Sequence, residues 1–401
     1  MIGGGAAGIV AAIFAASRGV ETLLLERTRD GGRKILISGG GRCNVLPARL
    51  DERRFVTDSS PNTLRNLIRS WPLADQIAFF ERDVGLRLVE ETESSKLFPA
   101  SQRARDVRDG LLALASRRGA RFIPNTFVTD VSPVPGGWRV GREGAAPLQT
   151  DAVVMATGGL SVPTTGSDGR GLDILGRLGH AVHPTYAALT PLLAERSPFA
   201  ELAGVSVAVD VSATYGDLSA TGSGGFLFTH RGYSGPAVLD VSHVAVRSRE
   251  AGDERAAVRV RWGRLSVAAW ETVLAPHGTR TVTGAVRGLL PERLADALIR
   301  RGGVDPSRPL AQLRREERRR LLDTLTRDPL PWTGDEGYRK AEVTGGGVSL
   351  AEVNPRTLES RRHPGLYLCG ELLDAFGPIG GYNFLWAWAT GRLAGLGAAA
   401  S

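Results

Sequence analysis

Small and apolar residues crowd the start of this chain. After Gly3-Gly4-Gly5-Ala6-Ala7-Gly8 an apolar, small-residue run continues to Ala16, and a second apolar run from Thr22 to Leu25 ends in Glu26. A turn, a buried helix and a strand in that order predict a βαβ unit. Residues 62–83 and 101–118 carry apolar positions at mixed spacings of three and four, which predicts helices. Arg121 to Val131 predicts a strand pair around a turn, and Trp138 to Val140 a further strand. Asp151 to Ala156 is a short apolar run that stops at Thr157-Gly158-Gly159, the pattern of a buried strand whose end meets a ligand.

From about Thr190 the pattern changes to strict alternation. Val205 to Val211 and Ala257 to Trp262 predict antiparallel strands. Three helices are then predicted, over Ala285–Leu290, Glu292–Arg301 and Leu310–Arg327. Near Ala341 the glycine-rich texture returns. Gly365 to Glu371 reads as a strand ending in Gly and an acid, and a helix from about Phe384 to Leu396 closes the chain. The plain reading is one α/β nucleotide-binding domain, residues 1–189 and 344–401, interrupted by a β-rich insertion over 190–284 and a helical one over 285–343. No internal repeat is visible.

Composition narrows the class. A chain of 401 residues buries a large core and divides into two or three domains. No apolar run reaches membrane-spanning length, and no basic segment with a cleavable apolar stretch opens the chain. The two cysteines, Cys43 and Cys369, form no C-x-x-C, which argues against a disulfide scaffold, a zinc site or a dithiol pair and makes the cytoplasm the default. The net charge is +8, and only Lys34, Lys96 and Lys340 are lysines, so arginine carries almost all of it. Such basicity marks nucleic acid or anionic substrates. The arginines are spread out, however, and the densest run, Arg314 to Arg320, mixes both signs and reads as the solvated side of a helix. A small-molecule substrate is therefore preferred over nucleic acid.

The first glycines carry the chemistry. Gly3, Gly5 and Gly8 have the spacing G-x-G-x-x-G, and Glu26 follows eighteen residues after the last of them. Gly3 permits the tight turn, Gly5 lets backbone approach a pyrophosphate, and Gly8 lets the helix pack close to the sheet. The N-terminus of the helix, with Ala6 and Ala7, faces the phosphates. Glu26 accepts hydrogen bonds from an adenosine ribose and repels a 2′-phosphate. Only Met1 and Ile2 precede the first glycine, where a strand of about five or six residues is expected. We expect the true start upstream and a longer chain to retain its cofactor better.

Five blocks together resemble the NAD(P)/FAD-dependent oxidoreductases labelled bile-acid-reductase-like (BaiN-like) and aminoacetone-oxidase-like. They are Gly3 to Gly8; Gly32-Arg33-Lys34 through Gly39-Gly40-Gly41-Arg42-Cys43-Asn44; Ala156-Thr157-Gly158-Gly159 through Gly166; Leu227 to His230 with Ser234-Gly235-Pro236; and Glu342-Val343-Thr344 to Gly391. They span the chain in order, and the Gly-Gly-Gly-Arg-Cys-Asn and Gly-Gly-Tyr-Asn blocks are the specific ones. The resemblance implies a Rossmann-like FAD-binding domain with a β-barrel-like insertion and a small helical insertion. It supplies a cofactor and a reaction type more firmly than a substrate.

Within those blocks, Ser38, Gly39, Gly41 and Asn44 offer bare or polar backbone to the flavin end, and Lys34 and Arg42 offer charge to the pyrophosphate or an anionic flavin. Arg27, Val128, Ala156, Thr157 and Gly158 are further candidate contacts to the cofactor. Gly370 and Glu371 address ribityl hydroxyls or a pyrophosphate-linked water. Gly380-Gly381-Tyr382-Asn383 start the last helix, whose N-terminal partial charge stabilises reduced flavin, with Asn383 as a plain helix cap in the alternative reading. Candidates for the chemistry itself are His230, Tyr233 and Cys43, each with a structural alternative: a surface or core His, a core Tyr, a packed thiol. Trp386 and Trp388 read as core, and His180 and His183 show no metal partners. No His lies in the glycine-rich loop, so FAD is expected to be noncovalent.

The expected function is an FAD-dependent oxidoreductase that passes a hydride from NAD(P)H to an organic substrate, an activated C=C or an amine–imine couple. A tRNA-modifying flavoprotein and a non-catalytic flavin redox sensor are the rival readings. No second G-x-G-x-x-G opens another βαβ unit. A nicotinamide is therefore expected to dock in the cleft by the insertion, near Phe228 to Pro236, and to compete with substrate in ping-pong fashion.

Overall fold

The computed structural model describes residues 1–195, 197–252 and 254–400. The chain divides into two compact units, Met1–Tyr186 with Glu342–Ser401, and Ala187–Ala341.

The first unit is built on a parallel sheet. Leu23–Leu25 pairs with Arg121–Ile123, and Leu366–Leu368 pairs with Val153–Met155. Ile2 joins the two halves through parallel bridges to Leu25 and Met155. Its neighbours complete the ladder: the Gly3 amide donates to Leu25 O and the Ala156 amide to Ile2 O, both at 2.9 Å. The C-terminal ends of these central strands are Gly3, Glu26, Ala156 and Cys369, so the sites singled out by sequence converge at one edge of the sheet.

Two helices pack against each other beside that sheet, Ala6–Ala16 and Tyr382–Ala398. Neither has a polar face, so both are buried. Their close approach explains the glycines. A Cβ on Gly391 would lie 2.4 Å from Ala7 O, and one on Gly395 would lie 2.3 Å from Ala11 O. The last helix extends slightly beyond the Phe384–Leu396 expected, at both ends. The helix expected over 62–83 is broken. Ser60 caps Pro61–Arg69, and Pro72, which has no N–H to donate, separates it from Leu73–Ala78. The strand pair expected over 121–131 does not form. Arg121–Ile123 joins the parallel sheet, whereas Val128–Val134 opens an antiparallel meander with Gly137–Arg142 and Ala145–Thr150.

The second unit is an antiparallel sheet that closes on itself. Ser206–Tyr215 pairs with Leu218–Thr229 on one side and with Ala257–Trp262 on the other. Gly232–Ser234 and Leu192–Leu193 extend it. Closure comes from one segment: Asp328–Pro329 pairs with Ala257–Trp262, and Gly334–Asp335 pairs with Leu192–Leu193 at the opposite edge. The insertion is thus barrel-like. The helices Val282–Arg287, Glu292–Arg301 and Arg315–Thr326 contribute Val286, Leu298 and Leu321 to the same hydrophobic core as Phe226 and Trp262. The β-rich and helical stretches therefore share a single core. The third helix starts later than expected, at Arg315, because Pro309 and the short turn Leu310–Gln312 precede it.

Candidate functional site

Every residue assigned to the cofactor by sequence lies in the first unit. Gly5 is the N-cap of the helix Ala6–Ala16, and no side chain caps its first N–H groups. Such free donors are an anion site. The glycines divide by what a side chain would meet. At Gly3, with φ +102°, a Cβ would lie 2.5 Å from Ala156 O, and at Gly8 one would lie 1.9 Å from Gly3 O. Those two are required by the fold. At Gly5 a Cβ meets nothing within 4 Å. Packing does not explain Gly5, which faces open space at the helix N-terminus.

Glu26 is buried, and its carboxylate is already engaged. Oε2 accepts from the Gly4 amide at 2.7 Å, and Oε1 accepts from the Thr28 amide and hydroxyl at 2.7 and 2.6 Å. These bonds fix the carboxylate beside the glycine turn and leave acceptor capacity on both oxygens. Arg27, next in sequence, pairs with Asp168 at 2.5 Å and lies over the Phe127 ring, just before Val128, which begins the meander.

At the end of the strand Val153–Met155, Thr157 and Ser167 hold buried hydroxyl oxygens with no hydrogen-bond partner. A Cβ on Gly158 would lie 2.4 Å from Ser167 Oγ. Orphaned hydroxyls are costly and ask for a partner. Two of them beside a bare backbone, at the edge of the sheet where Gly5 leaves open space, fit the hydroxyls and phosphates of a dinucleotide.

The second glycine-rich segment follows the helix Arg33–Ile37. Ser38–Gly41 is a tight turn, with Ser38 Oγ donating to Ile35 O and Gly39 against Asn44. Arg42 is half-exposed, lies 4.2 Å over the Phe98 ring and pairs with Glu91 at 2.8 Å. Lys34 donates to Ser161 Oγ and Glu371 Oε2, both at 2.5 Å. Glu371 Oε1 accepts from Ser161 Oγ, the Thr344 amide and Thr344 Oγ1 at 2.6 to 3.1 Å. Lys34, Ser161, Thr344 and Glu371 are therefore one network. Lys34, Arg42 and Arg27 each face a carboxylate of this chain, so the charge they offer a phosphate is shared. Ser161 and Thr344 were not singled out as site residues, although both fall in blocks that carry the resemblance, because an isolated hydroxyl has no spacing of its own.

At the last helix, Gly381 is the N-cap, with φ +92°, and no side chain caps the helix. Asn383 is not the cap. It turns back and brackets Gly377, accepting from its amide at 2.8 Å and donating to its carbonyl at 2.9 Å. Tyr382 donates to Arg49 O and is buried. Gly370 carries the positive φ just before Glu371, and its carbonyl accepts from Trp386. Trp386 and Trp388 are core residues.

The three candidates for the chemistry separate. Cys43 is fully buried, and burial pushes its thiol up to about 12. It is protonated at neutral pH and packs rather than reacts. Tyr233 is buried among Phe226 and Phe228 in the second unit, with its hydroxyl 2.8 Å from Ser197 Oγ, and burial pushes it up to about 12 as well. Its surroundings correct the expectation that it faces substrate. His230 is exposed, in the turn between Leu218–Thr229 and Gly232–Ser234. His180 is held by Leu175 O and Ser360, and His183 lies near Ser59 and Asp374. Among the described residues no group of three or more His, Cys, Asp or Glu is placed to hold a metal, and no helix is long and apolar enough to cross a membrane.

The family described as HI0933-like protein Rossmann domain matches residues 1–397. The chain belongs to that family. Across its whole length it is 33% identical to a 3-dehydro-bile acid delta(4,6)-reductase of Clostridium scindens, covering 98% of that protein. It is equally 33% identical to a ribosomal RNA dihydrouridine synthase of Escherichia coli, over 97% of this chain and 95% of that one. Among solved structures, a 3-ketosteroid delta1-dehydrogenase from Sterolibacterium denitrificans superposes with a TM-score of 0.55 over 100% of this chain and 98% of its own, at 12% identity. A quinol–fumarate reductase does so at 0.52, covering 100% of this chain and 70% of its own, at 16% identity. Those two likenesses concern the fold alone. Membership of that family makes this chain an FAD-binding oxidoreductase with a Rossmann domain.

Proposed function

We propose that this protein reduces a carbon–carbon double bond conjugated to a carbonyl, with FAD as the resident cofactor and NAD(P)H as the electron source. One observation carries the reading. The two curated relatives, at equal identity and over full length, are named for the same kind of change. A delta(4,6)-reductase saturates a double bond, and dihydrouridine is uridine with two hydrogens added.

When bound, FAD supplies the two-electron hydride chemistry. This chain supplies the rest. The open backbone at Gly5 and the uncapped helix N-terminus hold the pyrophosphate. Glu26 receives the ribose, and the hydroxyls of Thr157 and Ser167 gain the partners they lack. The Lys34–Glu371 network sets the ribityl end. The uncapped N-terminus of Tyr382–Ala398 offers a partial positive charge to the end of the cofactor that becomes anionic. Saturating a conjugated bond also needs a proton, and of the candidates named by sequence His230 alone is accessible. His230→Ala should lower turnover several-fold and leave FAD content unchanged. Loss of FAD from a folded variant would assign His230 to the cofactor instead.

The test is anaerobic. Flavin reduced by NADH or NADPH should be reoxidised by a conjugated enone or by a uridine-containing RNA, and not by the saturated analogue. A second reading concerns the substrate class. The name of the Escherichia coli relative, at the same identity as the bile acid reductase, supports a uracil base within RNA as the alternative to a free small molecule.

A further inference from the structure

We infer that the second unit carries a groove for single-stranded RNA, in which a base stacks on Trp332 and the flanking phosphates meet Arg255 and Arg259. The inference rests on the RNA reading of the substrate and adds where the strand is held.

The groove lies at the seam where the barrel closes. It encloses about 450 Å³ between the strand Ala257–Trp262 and the closing segment 328–335. That is within the range of ligand sites, roughly 300–1,000 Å³. Its walls include Arg259, Arg301, Pro329, Pro331 and Trp332. The strand alternates, with Val258 and Val260 turned into the core and Arg259 turned out. Arg259 is exposed and pairs with no acid among the described residues. Trp332 is partly exposed, and its orientation is fixed, because Nε1 donates to Ala256 O at 3.0 Å. The Arg255 guanidinium lies 5.0 Å from the centre of that ring.

The acid nearest to hand is withdrawn from the groove. Asp328 is buried, accepts from Arg301 at 2.7 Å and from Trp262 Nε1 at 3.2 Å, and burial raises its carboxyl above the usual range. The charged residues that line the groove, Arg259 and Arg301, are both positive, and Glu254 is exposed beside Arg255 outside that lining. Arg255 Nη1 donates to Thr333 O at 3.2 Å and its guanidinium keeps donors to spare. A fixed, partly exposed indole beside guanidinium groups with spare donors is the combination that holds single strands: any base stacks on the ring, and arginine reads the backbone. Proline on both sides of Leu330 makes the facing wall stiff and removes two N–H donors from it. That suits a stacked base better than an extended peptide, which needs backbone partners.

The experiment uses the flavin-loaded full chain and a short fluorescein-labelled uridine-rich RNA, with anisotropy read between about 50 and 200 mM salt. The double variant Arg255→Ala, Arg259→Ala should weaken binding at least tenfold. It should also lower the slope of log K against log salt by about 1.4, two phosphates at about 0.7 each. Trp332→Leu should weaken binding by about five- to a hundredfold with little change in salt slope. If Trp332→Leu melts early, the arginine variant, which alters only exposed side chains, still decides. RNA bound undiminished by the arginine variant would overturn the groove and leave the RNA reading intact. Displacement of the RNA by polyglutamate at equal charge would overturn it too, by showing a general anion site. No RNA binding by the wild type would overturn both.

Discussion

The two units solve the packing problem in opposite ways. In the first, backbone lies against backbone: Gly391 on Ala7, Gly395 on Ala11, Gly3 on Ala156. In the second, bulky rings fill the interior. Phe228 stacks on Trp262 at 5.6 Å with 17° between planes, and Phe199, Phe226 and Tyr233 surround them. Small residues let the first unit present N–H groups and strand ends to a ligand, which is how a long, anionic cofactor is held. Large rings give the second unit a rigid wall, whose outward side chains are free to differ. The difference teaches where information resides. The glycines that close packing requires are readable in sequence. The exposed side chains carried on the aromatic frame follow no such rule.

The sharpest way to break the comparison is within one turn of chain. Gly8→Val should prevent the first unit from folding, since its side chain would start 1.9 Å from Gly3 O. Gly5→Val should fold and bind no FAD, since nothing lies within 4 Å of its Cβ. Circular dichroism and flavin absorbance separate the two. A folded Gly8→Val, or a Gly5→Val that keeps FAD, would erase the distinction between packing and ligand glycines.

Next in size is Glu26→Ala. It removes the acceptor for a ribose and should weaken FAD binding by about 1–3 kcal/mol, the scale of hydrogen bonds to a charged group. Titration of the apoprotein measures it. Ser167→Ala should act more gently and in two directions. Its hydroxyl has no partner among the described residues, so stability without cofactor should hold or rise slightly, while FAD affinity falls by about 1 kcal/mol. A loss of stability in the cofactor-free protein would show that the hydroxyl already has a use.

The last effect appears only at alkaline pH. Burial raises Cys43 and Cys369 from 9.0 to about 12 in the first unit, and Tyr233 from 10.0 to about 12 in the second. Each group holds its proton in the folded state after the unfolded chain has lost it. Stability is therefore full below the unfolded value and falls as pH rises, from about 9 in the first unit and about 10 in the second, towards 12. Urea midpoints between those values should decline, and Cys43→Ala should flatten the decline. A midpoint unchanged up to pH 11 would mean the thiols are not buried as described.

Much of this was legible in sequence because it depends on local rules. The turn–helix–strand from Gly3 to Glu26 and the last helix follow from glycine spacing and unbroken small apolar residues. The barrel closure was not legible. Asp328–Pro329 and Gly334–Asp335 are two residues each, too short to alternate, and their partners are distant in sequence. Asn383 looked like a helix cap because Asn favours that place. The tight approach of Gly381 to Leu46 instead gave the cap to glycine and turned the amide to Gly377. Tyr233 was a candidate to face substrate because it lies in the insertion. The aromatic core of its own unit claimed it.

The account is tested most directly by rapid mixing without oxygen. The flavin-loaded protein is reduced with NADPH or NADH and then mixed with a conjugated enone, with uridine-containing RNA, or with the saturated counterpart of each, while flavin absorbance is followed. The account predicts rapid return of oxidised FAD with one of the unsaturated compounds, formation of the product with two added hydrogens, and no return with the saturated ones. Reduced flavin that persists with every unsaturated acceptor, or a protein that neither nicotinamide can reduce, would contradict it.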